Sequence, residues 1–146
     1  MEKEVLNIDE FNGFASDFIK DLDKKEDRAF VVGLYGNLGA GKTAFVKAVS
    51  KKLGLNETII SPTFVIMKIY DIENFIWKNL IHIDAYRIED SKEVEVLGLG
   101  DILNNKDNIV FIEWPERIAD RIHQDVKVFI KPVKENEDAR IIEIKK

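Results

Sequence analysis

Residues 29 to 35 read AFVVGLY, seven apolar or small residues in a row. A run without polar alternation predicts a strand buried on both faces. Beyond Thr43 the period changes. Phe45, Ala48, Val49 and Leu53 recur at helical spacing, and Gly54 is a natural stop. An earlier stripe of Phe11, Phe14, Ala15, Phe18, Ile19 and Leu22 predicts an amphipathic helix, with Asn7 and Glu10, or Asp9 just inside, as its cap. Its aromatics read as core. Residues 4 to 8 suit a short edge strand. Residues 64 to 70 and 75 to 84 predict two strands joined by the four-residue turn DIEN, after an interruption at Ser61-Pro62-Thr63. Residues 91 to 103 predict a helix capped by Asp90 and Glu93 and broken at Gly98 and Gly100. NIVFIE, 108 to 113, is a second apolar run, and Trp114-Pro115 stops it. PERIADRIHQ predicts a short helix, and 125 to 133 with 139 to 146 a closing antiparallel pair. The class expected is α/β: a central mixed sheet flanked by helices, with additional antiparallel hairpins.

Composition narrows the partners. The 146 residues suit one domain, and 45% hydrophobic with 34% charged is an ordinary globular balance. A net charge of −5 with scattered lysine pairs argues against a DNA binder, which would carry a basic face. The lack of cysteine excludes disulfides and thiolate metal sites, and two histidines are too few for a histidine-rich zinc site. MEKEVLN has no signal core, and no apolar run approaches the about 18 residues of a membrane span. The expectation is a cytoplasmic protein.

Between the first buried strand and its helix lies GNLGAGKT, residues 36 to 43, with the spacing Gly-x4-Gly-Lys-Ser/Thr. Glycines at 36, 39 and 41 let the backbone curl and turn its N–H groups towards phosphate oxygens. The helix start adds unpaired N–H groups and a positive dipole end. Lys42 has the reach for β- and γ-phosphates, and the Thr43 hydroxyl suits magnesium. A chance glycine-rich turn would lack the flanking strand and helix.

Two further runs end in an acid, LIHID at Asp84 and NIVFIE at Glu113. An acid at a strand's C-terminal end faces the region where open α/β sheets bind ligands, and suits a phosphate-bound magnesium. His82, Asp84 and Tyr86 share one face if the strand continues. The plainer alternative makes Asp84 a strand cap paired with Arg87 on the surface. Trp114 is either a nucleotide contact or a hydrophobic plug. Arg117 and Arg121 fit surface pairing with Glu116 or Asp120 better than phosphate contact.

The loop alone leaves GTPase, kinase and ATPase open. NKDN at 105 to 108 ends in Asn and precedes a strand, and Asp84 is followed by AYR, so guanine recognition fits poorly. A small-molecule kinase would need room for an arginine-rich lid, and the chain has five arginines. A third class is a nucleotide-gated binding module without turnover. The four motifs GNLGAGKT, SPTF (61 to 64), HIDAYR (82 to 87) and IEWPE (112 to 116), in that order and spacing, resemble the TsaE (YjeE) family of tRNA threonylcarbamoyladenosine (t6A) biosynthesis.

The resemblance implies a P-loop NTPase fold, ATP or ADP with Mg2+, and work alongside TsaB and TsaD proteins, with tRNA engaged indirectly. It implies a binding set of Asn37, Leu38, Gly39, Ala40, Gly41, Lys42, Thr43 and Ala44, with Trp114 flanking the nucleotide and Asp9 and Asn12 near the adenine. Thr43 and Glu113 would hold the metal, with Asp84 near it and positioning the attacking water. Thr63 would face the γ-phosphate, and Lys42 would neutralise phosphate charge. The family commonly has an acid at 37 and a hydroxyl residue at 44. Ala44 cannot donate that hydroxyl bond, which would weaken binding by about 1 kcal/mol.

Overall fold

The protein is described by a computed structural model covering residues 1–55 and 66–146. Seven strands among these residues form one sheet: β1 Glu2–Val5, β2 Phe30–Tyr35, β3 Met67–Asp71, β4 Asn79–Asp84, β5 Asn108–Glu113, β6 Val126–Val133 and β7 Asn136–Lys145. Their order is β1-β7-β6-β2-β5-β4-β3. The four central strands β6, β2, β5 and β4 run parallel, while β3 pairs antiparallel with β4, β7 with β6, and β1 with β7. The sheet is mixed, as the two apolar runs flanked by hairpins predict. β2 and β5 are buried almost throughout, in keeping with their unbroken apolar runs.

Helices α1, Ile8–Lys20, and α2, Lys42–Lys52, cover one face. Asn7 caps α1 by accepting from the Glu10 N–H at 2.9 Å, and Glu10 accepts from the Leu6 N–H in return. The phenylalanine stripe is core: Phe45 of α2 meets Phe11 and Phe18 edge-on, with centroids 6.1 and 5.3 Å apart. The opposite face is covered by a 3-10 segment, Ser91–Leu97, the short helix α3, Leu99–Leu103, and 3-10 turns at Pro115–Arg117 and Ala119–Arg121.

Several local expectations change. The predicted helix of 91 to 103 breaks only at Gly98, which stands at φ +77°, whereas Gly100 lies inside α3. The first hairpin is longer than a four-residue turn. β4 starts at Asn79, and Trp77, in the connection before it, is fully buried against Phe30 and Phe75. PERIADRIHQ forms two 3-10 turns instead of a helix. The Ser61-Pro62-Thr63 break and the start of the strand at Phe64 lie outside the described residues.

β2 and β6 are tied by Asp125. Its carboxylate accepts two bonds from Arg28, at 2.6 and 2.9 Å, and one from the Val31 N–H at 2.8 Å, while its own N–H donates to the Val31 carbonyl. Burial pushes the Asp125 pKa up, but these donors outweigh it and hold the group below its ordinary value. A depressed carboxylate stabilises the fold above its unfolded pKa and loses that contribution as pH falls through the folded value. Arg28 is one-third exposed, so the pair is partly screened. Asp125→Ala is expected to lower stability at neutral pH by about 2 kcal/mol. In urea unfolding, the gap from wild type narrows as pH falls below the ordinary carboxylate range.

Candidate phosphate-binding site

The turn after β2 is shaped by two glycines. Gly36 has φ +155°, and a Cβ there would meet the Ile130 carbonyl oxygen of β6 at 2.7 Å. Gly41, the N-cap of α2, has φ +119° and lies against the Phe11 ring. Only glycine satisfies both a left-handed φ and such close packing. The Ala40 N–H bonds the Asn37 carbonyl at 3.0 Å and closes the crest, where Leu38 is exposed. The Arg140 Nε of β7 donates to the Ala40 carbonyl at 2.8 Å and braces the loop from outside.

Below the loop sits a buried polar cluster. Lys42, 5% exposed, donates from Nζ to the carbonyls of Gly36 and of Asn37. Burial holds its pKa below the usual lysine value, although Glu113, Asp84 and Glu116 pull it back up. The Thr43 hydroxyl lies 3.0 and 2.9 Å from the two oxygens of Glu113. Parallel pairing sets Asp84 directly beside Glu113, and Glu113 beside Leu34. Asp84 Oδ1 accepts from the Tyr86 N–H at 3.0 Å. His82 is fully buried beneath them, with Nε2 2.6 Å from Glu113 Oε2.

Trp114 roofs the cluster. Its φ of +57° is uncommon for a bulky side chain and re-aims the chain as β5 ends. The Lys42 ammonium lies 4.3 Å from the ring centroid. Tyr86 packs on Trp114 with ring centroids 5.0 Å apart, and Arg117 lies over Tyr86. Together these groups line a cavity of about 320 Å³ that includes Leu38, Gly39, Gly41, Lys42, Thr43, Ala44, Asp84, Arg87, Glu113 and Trp114. Backbone N–H groups, an ammonium and a hydroxyl beside two carboxylates can bind a polyanion together with a hard cation.

A second cavity of about 290 Å³ adjoins the loop, between Asn7, Ile8 and Phe11 of the α1 start and Ala44, Glu137, Asp138 and Arg140. Asp9 and Asn12 are on the same helix, exposed and half-buried respectively, but line neither cavity. Thr63 lies outside the described residues. Arg121 bonds Glu95 and lies 3.5 Å from Asp120, the surface pairing expected of it. A larger groove of about 560 Å³ between α1 and the end of β7 holds none of these groups. Sequence reasoning missed His82 as Glu113's partner and Arg140 as the loop's brace. The alternation of His82 with Asp84 could have pointed to the first. Arg140 is 100 residues from its acceptor and left no local signal.

A glycine loop joining the central parallel strand to its helix, with acids at the ends of the next two parallel strands, is the P-loop NTPase fold. The TsaE family model, Threonylcarbamoyl adenosine biosynthesis protein TsaE, matches residues 7–142. The chain belongs to this family, whose role is in tRNA t6A biosynthesis. It is 41% identical over 118 residues to the tRNA threonylcarbamoyladenosine biosynthesis protein TsaE of Rickettsia typhi, covering 80% of this chain and 72% of the relative. To the Bacillus subtilis protein of the same name it is 37% identical over 108 residues, 73% and 65% of the two chains. The crystal structure of Bacillus subtilis YdiB superposes with a TM-score of 0.73 at 25% identity, covering 97% of this chain and 82% of that one.

The two tryptophans test this geometry. Trp114 lines the cavity and Trp77 is fully buried. Iodide should quench the wild type's fluorescence, and Trp114→Phe should lower the quenching constant several-fold. Unchanged quenching in that variant would mean that Trp77, not Trp114, is the accessible ring.

Proposed function

We propose that residues 1–146 act as one P-loop ATPase domain that binds ATP or ADP with Mg2+ and hydrolyses ATP slowly in support of t6A modification, with TsaB and TsaD proteins as partners. The observation that carries this reading is the contact of Thr43 with Glu113 at the mouth of the loop, with Lys42 and Asp84 alongside. The donor set fits the metal: one hydroxyl and two carboxylates are hard oxygen ligands, and magnesium completes such a set with phosphate oxygens and water. Thr43 and Glu113 would hold the ion, with Asp84 beside them. When bound, it would neutralise charge on the phosphates.

The chain's own groups would do the rest. Backbone N–H groups from Gly39 to Thr43 bind the phosphates, and the Ala44 N–H remains a donor where a hydroxyl is missing. Lys42 would exchange its loop carbonyls for phosphate oxygens, which restores the counter-charge its burial lacks. Asp84 would orient the attacking water. Positioning and fixed charge supply most of what phosphoryl transfer needs. Asn37 and Leu38 form the loop's crest and Trp114 excludes water from one side. The cavity at the α1 start, lined by Asn7, Ile8 and Phe11, has room for the nucleoside, and Asp9 and Asn12 would lie on the same helix near the adenine. An acidic chain of this kind docks on protein rather than on tRNA, and works in the cytoplasm.

ATP hydrolysis with magnesium, alone and with TsaB and TsaD, tests the reading. Slow turnover that rises with the partners is expected. Asp84→Ala should keep ADP binding and lose roughly a hundredfold in hydrolysis, while Lys42→Ala loses binding or turnover. Phosphate delivered to a small hydroxyl acceptor would make the protein a kinase. ATP-dependent partner binding that survives Asp84→Ala without turnover would make it a nucleotide-gated module. Unchanged hydrolysis in Asp84→Ala would remove that residue from the mechanism.

A further inference from the structure

Glu113 has two oxygens, and the Thr43 hydroxyl does not choose between them, since it lies 3.0 Å from one and 2.9 Å from the other. His82 does choose. Its Nε2 is 2.6 Å from Oε2, a short charge-assisted contact, and the residue is fully buried. Its Nδ1 has no hydrogen-bond partner among the described residues. A carboxylate can only accept, so the ring proton that makes this bond is on Nε2. An unpaired lone pair is also the lesser burden for a buried ring, compared with an unpaired N–H.

The position follows from the sheet. His82 is two residues before Asp84 on β4, and the parallel register sets it beside Phe111, two residues before Glu113. Both side chains therefore point to the α1–α2 face, with the imidazole one level below the carboxylate. A residue needed only to fill this space could be apolar, as its neighbours Leu80 and Phe111 are. A buried imidazole with one nitrogen unpaired is a poor filler.

We infer that His82 is a positioning residue for Glu113: by holding Oε2 it leaves Oε1 as the oxygen offered to a cation, which favours a small octahedral ion over a larger one. This rests on the nucleotide–magnesium reading of the site. Magnesium demands near-ideal geometry from few protein oxygens, whereas calcium accepts bidentate carboxylates. Outer partners of this kind typically change metal affinity by 10- to 100-fold when removed.

The test has two parts. In the wild-type protein, nitrogen-15 spectra of the two histidines should show His82 protonated on Nε2. A bare Nε2 would overturn the inference. Calorimetry then measures ADP affinity in MgCl2, in CaCl2 and in EDTA for wild type, His82→Met and His82→Gln. Met fills the space without a donor, and the Gln amide can replace Nε2. The expected result is a gain from magnesium that falls about tenfold in His82→Met, a smaller change with calcium, and recovery in His82→Gln. Equal magnesium gains in wild type and His82→Met would sink the inference and leave the nucleotide reading standing. Wild-type ADP binding that ignores magnesium would sink the magnesium reading and this inference with it, and no ADP binding in any of the three buffers would sink the nucleotide reading itself. If His82→Met does not fold, His82→Asn, too short to reach Oε2, takes its place.

Discussion

The register of β4 and β5 is the constraint on which the site depends. Pairing in parallel sets Asp84 beside Glu113 and His82 beside Phe111. A slip of one residue would turn every side chain of β5 to the other face and carry Glu113 away from Thr43. The register is held by burial on both faces. Ile109 and Phe111 face α1 and α2, while Val110 and Ile112 face the 3-10 segments and α3. Strands buried on both sides have no solvated alternative, so the carboxylates inherit the precision of an apolar lattice.

The same lattice makes the site costly. Lys42, His82, Asp84 and Glu113 are all nearly inaccessible, on a face that is otherwise apolar. Each charge needs partners there. Lys42 has two loop carbonyls and the face of Trp114, yet burial still depresses its pKa. A lysine whose folded pKa is lowered opposes folding below that pKa and ceases to do so as pH rises through it. An anionic ligand would offset this cost, so the charge that strains the fold is the one suited to bind phosphate. Trp114, in the left-handed region, adds backbone strain at the same place.

Support for the loop comes from distant parts of the chain. β7 supplies Arg140 to the Ala40 carbonyl, and β6 supplies the Ile130 carbonyl that excludes a Cβ at Gly36. The closing hairpin, which carries no motif, is therefore part of the frame that shapes the loop. A site on a sheet's C-terminal edge, braced from both sides, suits chemistry that depends on positioning.

The residues alone determined much of this. An unbroken apolar run makes a doubly buried strand, helical spacing makes an amphipathic helix, and glycines at set intervals make a phosphate loop. These are local rules, so β2, α1, α2, β5 and the meeting of Lys42, Thr43, Asp84 and Glu113 around the loop were legible in the sequence. Where contacts are remote, legibility ended. Trp77 begins as an apparent strand residue and becomes the core's plug, because Phe30 and Phe75 receive it there. The α1 residues lining the second cavity are Asn7, Ile8 and Phe11 rather than Asp9 and Asn12, because the helix's rotation is set by the core it packs on. The imidazole of His82 finds Glu113, 31 residues further along the chain, only because their two strands lie side by side in one register. Spacing along a chain specifies an element, but which elements meet, and at what level, is decided by the packing that buries them.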